Sequence, residues 1–389
     1  MRGSAIVFVW FALAAAGCEA SSEPSVTPDA AAPAAKLPSL GLNDVSVLLP
    51  VPSSPSAPGY LGPTSAGERG ELLPMAVYDA IPPFPVVPKQ GLDYTRLRAV
   101  AVRFDGCFRH PQSDCEAQIR LVMQPITDKG DTRDSAVHLF YKLSDAELPG
   151  LVRELRRLRS LAPEVADGPL DVHAGFAAQG GEGPYATALN ALVLRLAGEQ
   201  NFIRMTFFLR APPTNEVWFF GGFDRKDGVL AQLDIVGVGK SNQRVILTPS
   251  DGGYSFDFLP VEKAPEDTSL LLSSDGAKAA SREALEKALG AFARIENPAK
   301  YSPDDLPCAG CHVSAAVTGY AKQNLQAELS KMPDAFTSTR DLSLRGGASG
   351  FTSSLRAFGW FGKNAMISQR VVNESAAVVD DFEKRFPEK

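Results

Sequence analysis

Histidine and cysteine are scarce in this chain, with four and five copies in 389 residues. Any metal or cofactor site must therefore be assembled from a list short enough to read one residue at a time. An excess of positive charge is also missing. Lys and Arg number 39 against 45 Asp and Glu, a formal net charge of -6, which excludes the concentrated basic surface that sequence-independent nucleic-acid binding requires. The sequence contains no nucleophile elbow, no phosphate-binding glycine loop, no internal repeat and no second copy of the one Cys-x-x-Cys-His run described below. What remains is a chain with 44% hydrophobic residues, long enough for two ordinary folded parts.

The N-terminus carries Arg2 and then an apolar run from Ala5 to Ala16. That run is too short for a permanent membrane-spanning helix and has the build of a signal-peptide core. The stretch Leu13-Ala14-Ala15-Ala16-Gly17-Cys18 resembles the lipobox of bacterial lipoproteins, with Ala15 standing where leucine is commoner. The resemblance implies cleavage before Cys18, lipidation of that cysteine, and a membrane contact through the lipid anchor. Glu19 after the cysteine resembles passengers sorted to the outer membrane, so the expected location is the cell envelope. From Glu19 to about Gly70 the chain is rich in Pro, Ser and Ala without a sustained hydrophobic period. It reads as an extended tether, because it offers too little apolar surface to offset chain entropy. The cluster Ile81-Pro82-Pro83-Phe84-Pro85-Val86-Val87-Pro88 reads as extended chain lying on the domain that follows.

Residues 71–265 read as one β-rich domain, and between about Leu92 and Pro260 the hydrophobic period is two. Strands are expected at Leu97 to Phe104, Glu116 to Gln124, Ala136 to Tyr141, Phe202 to Leu209, Val217 to Phe223, Val229 to Val238, Arg244 to Thr248 and Tyr254 to Leu259. Helices are expected at Pro149 to Leu161 and Tyr185 to Gly198. Residues 266–389 lose the strand pattern, and apolar stripes at Leu285, Leu289 and Phe292 and from Met366 onward have helical spacing. The expected fold class is α+β: a mostly antiparallel N-terminal sheet domain with two helices, then an all-α C-terminal domain.

Within that last segment lies Cys308-Ala309-Gly310-Cys311-His312. Two cysteines three apart on a helical turn face the same way, as two thioether bonds to one porphyrin edge require. The adjacent histidine then sits under the iron, and small Ala309 and Gly310 let the ring edge approach the backbone. Here the sequence resembles the c-type cytochromes, and the resemblance covers the motif and the helices around it. It implies one covalent haem c held by Cys308 and Cys311, with His312 as axial ligand, in a cytochrome c-like domain. Three other readings of the motif are a zinc site, a thioredoxin-type dithiol and a plain structural disulfide. Zinc lacks a nearby second Cys pair, and the dithiol lacks a preceding strand.

Met366, just before the final helix, is the first candidate for the sixth iron ligand, and Met332 in Lys331-Met332-Pro333 is the alternative. An aromatic stretch, Phe351, Leu355, Phe358, Trp360 and Phe361, with glycines at 346, 347, 350 and 359, either closes over the porphyrin or builds a small core. Arg340, Arg345, Arg356, Lys363 and Arg370 either pair with propionates or an acidic partner, or stay solvated. Cys107 and Cys115 are expected to form a disulfide in an oxidising compartment. His110 is expected in an exposed loop, while His138 and His173 have no partner that spacing identifies. The functional expectation is an envelope-anchored monohaem electron carrier that meets a redox partner protein. A haem enzyme with an open iron position, and a non-redox surface lipoprotein, are the competitors.

Overall fold

A computed structural model describes residues 37–83, 92–110, 113–162, 168–210, 216–250, 253–345 and 354–387. The signal sequence, Cys18 and Glu19, the tether up to Lys36, and Gly346, Gly347, Gly350 and Phe351 lie outside the described residues, as does 84–91 of the proline cluster. In chain order the strands are β1 (Ser46–Leu48), the small pair β2 (Ala66–Gly67) and β3 (Gly70–Glu71), β4 (Leu97–His110), β5 (Ser113–Pro125), β6 (Ala136–Lys142), β7 (Phe202–Arg210), β8 (Val217–Lys226), β9 (Val229–Gln232), β10 (Asn242–Ser250), β11 (Gly253–Leu259), β12 (Phe358–Phe361) and β13 (Asn364–Ile367). The helices are α1 (Leu42–Val45), α2 (Met75–Asp79), α3 (Leu148–Ser160), α4 (Ala174–Gln179), α5 (Pro184–Leu196), α6 (Ser274–Ala279), α7 (Arg282–Ile295), α8 (Cys308–Leu325) and α9 (Gln369–Arg385).

Nine strands make one antiparallel sheet, ordered β1-β4-β5-β6-β7-β8-β10-β11 with β9 added to β8. Alternation along the strands gives this sheet two different faces. One carries Leu121, Leu139 and Met205, which share the larger core with Leu151, Leu155, Leu189 and Val193 of α3 and α5. The registers Val122↔His138↔Thr206 and Phe208↔Phe220↔Gln243 define the other face.

The C-terminal third covers this second face. Gln243 Oε1 accepts from the Ala309 amide of α8 at 3.0 Å, Arg204 pairs with Asp304 at 2.5 Å, and Arg103 of β4 pairs with Glu374 of α9 at 2.7 Å. The Gln124 side chain accepts from the Trp360 amide at 2.7 Å and donates to the Trp360 carbonyl at 2.9 Å. These contacts correct the expected fold class. Helices sit between strands and against the sheet, and residues after 266 do not make a separate all-α domain: β12 and β13 form a hairpin bonded to β5 side chains, and residues 37–389 form one compact unit.

The tether reading also stops short of Gly70. Leu40, Leu42, Val45, Val47, Leu48 and Leu49 are buried, and β1 pairs with β4. Six apolar residues within ten positions were enough to buy a strand at the sheet edge despite the surrounding prolines. Cys107 and Cys115 form a disulfide, with Cα atoms 4.5 Å apart across the β4–β5 hairpin. His110 falls at the end of β4 rather than in a loop.

His173 caps α4, its Nδ1 accepting from the Phe176 amide at 3.2 Å while the ring stacks on Tyr185 at 4.0 Å. Burial lowers its pKa to about 4. The unfolded chain therefore takes up a proton first as pH falls below about 6.5, so this residue's contribution is complete above that value and is lost as pH drops towards 4. We expect that loss to approach about 3 kcal/mol, and expect His173→Asn, which keeps a capping acceptor, to flatten the stability profile in that window; denaturant titrations at several pH values measure it. A second expectation concerns the hairpin contact. Gln124→Leu strands the buried Trp360 amide and leaves its carbonyl only the Thr132 hydroxyl, and should cost about 1–3 kcal/mol, read from the shift in urea midpoint; an unchanged midpoint would show that the hairpin does not depend on the sheet.

Candidate functional site

Helix α8 starts at Cys308, directly after Pro307, whose missing amide hydrogen costs nothing at a helix N-terminus. Cys308 and Cys311 are both free thiols, half-buried in the first turn. Burial pushes Cys308 to about 12 and Cys311 to about 11, so both are protonated at neutral pH. His312 follows, half-buried beneath the sheet face. Its ring lies 5.4 Å from Phe208, nearly parallel, and 4.9 Å from Phe220.

His312 Nδ1–H donates to the Leu355 carbonyl at 2.8 Å. That bond sets the tautomer and leaves Nε2 as the nitrogen available to a ligand or metal. Burial holds the imidazole's pKa near 4, against the opposing effect of the Leu355 bond, so the ring is neutral at physiological pH. Leu355 is itself fixed by Asp134, whose Oδ2 accepts from the Leu355 amide at 3.4 Å and from Trp218 Nε1 at 2.9 Å. Asp134 Oδ1 also accepts from Ser354 at 3.1 Å.

Arg356 is fully buried beside this network. Its Nη2 stands 3.5 Å from Asp134 Oδ1, and its guanidinium lies 4.5 Å over the Phe208 ring. None of its three nitrogens has a hydrogen-bond partner among the described residues, and burial lowers its pKa to about 10. Asp134 offsets part of the cost of burying this cation, and donors left without close acceptors keep the rest. Arg120 adds a second such group: it pairs with Asp105 at 2.5 Å, but its Nε has no partner.

The structure brings Cys308, Cys311 and His312 together, and separates other candidates. Met366 sits in β13, 4% exposed, opposite Gly359 in the hairpin, and Met332 closes a short turn after α8, packing on the smaller core. Of the basic group, Arg356 lies at His312, whereas Arg370 is committed to Glu374 at 2.6 Å and Arg340 to Asp380 at 2.9 Å. Leu355 reaches the site through its carbonyl, and Phe358 and Trp360 build the larger core instead. Sequence reasoning missed Asp134, Phe208, Phe220 and the place of His138, whose ring centroid is 6.5 Å from that of His312. The face shared by His138, Phe208 and Phe220 was readable from strand alternation, but the loop position of Asp134 and the segment that covers the face were not.

Among the described residues no group of three or more His, Cys, Asp or Glu side chains is placed to hold a metal ion by itself. No described helix is long and apolar enough to cross a membrane. Comparison of the chain with family models, with curated proteins and with solved structures finds no match.

Asp134 is expected to be the site's main structural dependency. Asp134→Ala removes the partner of a buried guanidinium and of the Trp218 indole, and should destabilise the chain by about 3–5 kcal/mol. Adding Arg356→Met should recover part of that loss, since the isolated charge goes too; equal stability of the single and double variants in denaturant titration would refute the coupling.

Proposed function

We propose that this chain is a monohaem c-type cytochrome of the cell envelope, with Cys308 and Cys311 attached to the haem and His312 bound to its iron. The observation that carries the reading is the pairing of two free thiols on one helical turn with an imidazole whose Nδ1 is tied to a backbone carbonyl. A metal-bound histidine needs that outer hydrogen bond to fix its ring and raise its basicity.

The surroundings fit the group on two further counts. Phe208 and Phe220 offer an apolar, aromatic wall at the His312 ring, which lowers the local dielectric and so bears on the redox potential. Arg356, buried and paired with Asp134 only through Nη2 at 3.5 Å, keeps donors for a carboxylate of the kind a haem carries at its edge. When bound, haem supplies one-electron redox chemistry. The protein's own residues hold the ring, exclude water and set the charge around it. Electron transfer to a redox partner protein, with the chain held to the membrane through lipidated Cys18, is the activity this reading assigns.

Expressed with a cytochrome c maturation system, the exported chain should carry haem that survives denaturing electrophoresis and stains for peroxidase activity. Cys308→Ala together with Cys311→Ala should abolish that band. A band of unchanged strength in the double variant, or a colourless wild-type chain despite competent maturation, would refute the reading; a Cys308–Cys311 disulfide found by mass spectrometry in the colourless protein would favour a structural staple.

A further inference from the structure

Strand β6 places His138 on the sheet face that looks toward α8, through the register His138↔Thr206 beside Phe208 and Phe220. The His138 and His312 ring centroids are 6.5 Å apart, with ring planes 20° from parallel. Two imidazoles on opposite sides of one metal, through bonds of about 2 Å and with each donor nitrogen about 1.1 Å from its ring centre, have centroids roughly 6.3 Å apart. The observed separation matches that span.

The hydrogen bonds of the two rings are alike. His312 Nδ1 is bonded to the Leu355 carbonyl at 2.8 Å, and His138 Nδ1 to the Thr206 hydroxyl at 3.2 Å. Among the described residues neither Nε2 has a hydrogen-bond partner. Most polar groups buried in a core find partners for their donors and acceptors. Here each ring has one nitrogen anchored and the other unused, which is the arrangement of a histidine oriented for a metal.

We propose that His138 is the second axial ligand of the haem iron, on the side opposite His312, so that the sheet and α8 grip the cofactor between them. The proposal rests on the haem reading above. It replaces Met366 and Met332 in that role: both are thioethers on elements other than the face that meets His312. With two imidazoles the iron has all six positions filled, which favours electron transfer over peroxide chemistry, and its potential lies below that of a His/Met pair. The sheet is then part of the coordination sphere rather than a separate docking module.

The test uses the full matured chain in the ferric state, read by electron paramagnetic resonance and near-infrared magnetic circular dichroism. The unaltered protein should be low-spin with the two-nitrogen signature and without a sulfur-to-iron band. His138→Ala should keep its covalent haem on denaturing gels, turn high-spin, and return to low-spin when imidazole is added. His138→Met should stay six-coordinate, gain the sulfur-to-iron band and shift to a higher potential. A sulfur-to-iron band or a high-spin iron in the unaltered protein overturns the proposal, as does a spectrum unchanged in His138→Ala. Those outcomes leave covalent haem in place and so spare the haem reading, whereas an unaltered chain without covalent haem overturns both.

Discussion

The arrangement depends on one buried polar contact between the sheet and the C-terminal segment, centred on Asp134. Its carboxylate accepts from Trp218 on β8 and from Ser354 and Leu355, and stands beside the buried Arg356 guanidinium. A carboxylate with no exposure is tolerated only where several donors converge on it. Those donors come from segments far apart in sequence, so satisfying Asp134 locks the 354–356 segment onto the sheet and aims the Leu355 carbonyl at His312. Related contacts extend the same interface: Gln124 serves both backbone groups of Trp360, and Arg103 and Arg370 share Glu374. Burial alone would favour the neutral acid at Glu374, but the neighbouring arginines outweigh it and hold the carboxylate well below its usual range.

This polar interface explains which parts of the fold were readable in the sequence. The strands β4 to β8 are rich in β-branched and aromatic residues with partial alternation, so their positions were visible, as were the amphipathic helices α3, α5, α7 and α9. The division into two domains was not correct, for a physical reason. A sheet face that carries Arg103, Arg120, Gln124, His138, Arg204 and Gln243 reads as solvent-facing in the pattern of hydrophobicity. Here Arg103, Arg120, Gln124 and Gln243 are buried under chain supplied by residues after 300. The hairpin β12–β13 was missed because each strand has four residues, too few for a period, and its Phe-Gly-Trp-Phe run is as compatible with a helical core as with a strand.

The candidate site divides along the same line. Cys308, Cys311 and His312 are neighbours in sequence, so their relation was legible from spacing and the properties of a helical turn. His138 and Phe208 reach the site only through sheet register, Asp134 through the loop before β6, and Arg356 through the segment that Asp134 pins. Methionine was favoured as a ligand because Met366 precedes the last helix, a placement that assumed an independent helical domain. Once that segment is part of the sheet's own core, the nearest imidazole comes from the opposite element.

Arg356, whose only charge partner among the described residues is Asp134 at the 3.5 Å edge of contact, and the Arg120 Nε without a hydrogen bond are local conflicts in this part of the interior. Natural sequences keep such conflicts at sites where something else resolves them. Leucine or methionine at position 356 would fill similar space without the desolvation cost, and Asp134 meets the guanidinium only at 3.5 Å, which leaves donors for a second anion beside Phe208. A cofactor that brings both a carboxylate for Arg356 and a metal for His312 would relieve the two conflicts at once. Its binding free energy would then add to folding stability, because it is held by the native arrangement of sheet and α8 and not by the unfolded chain.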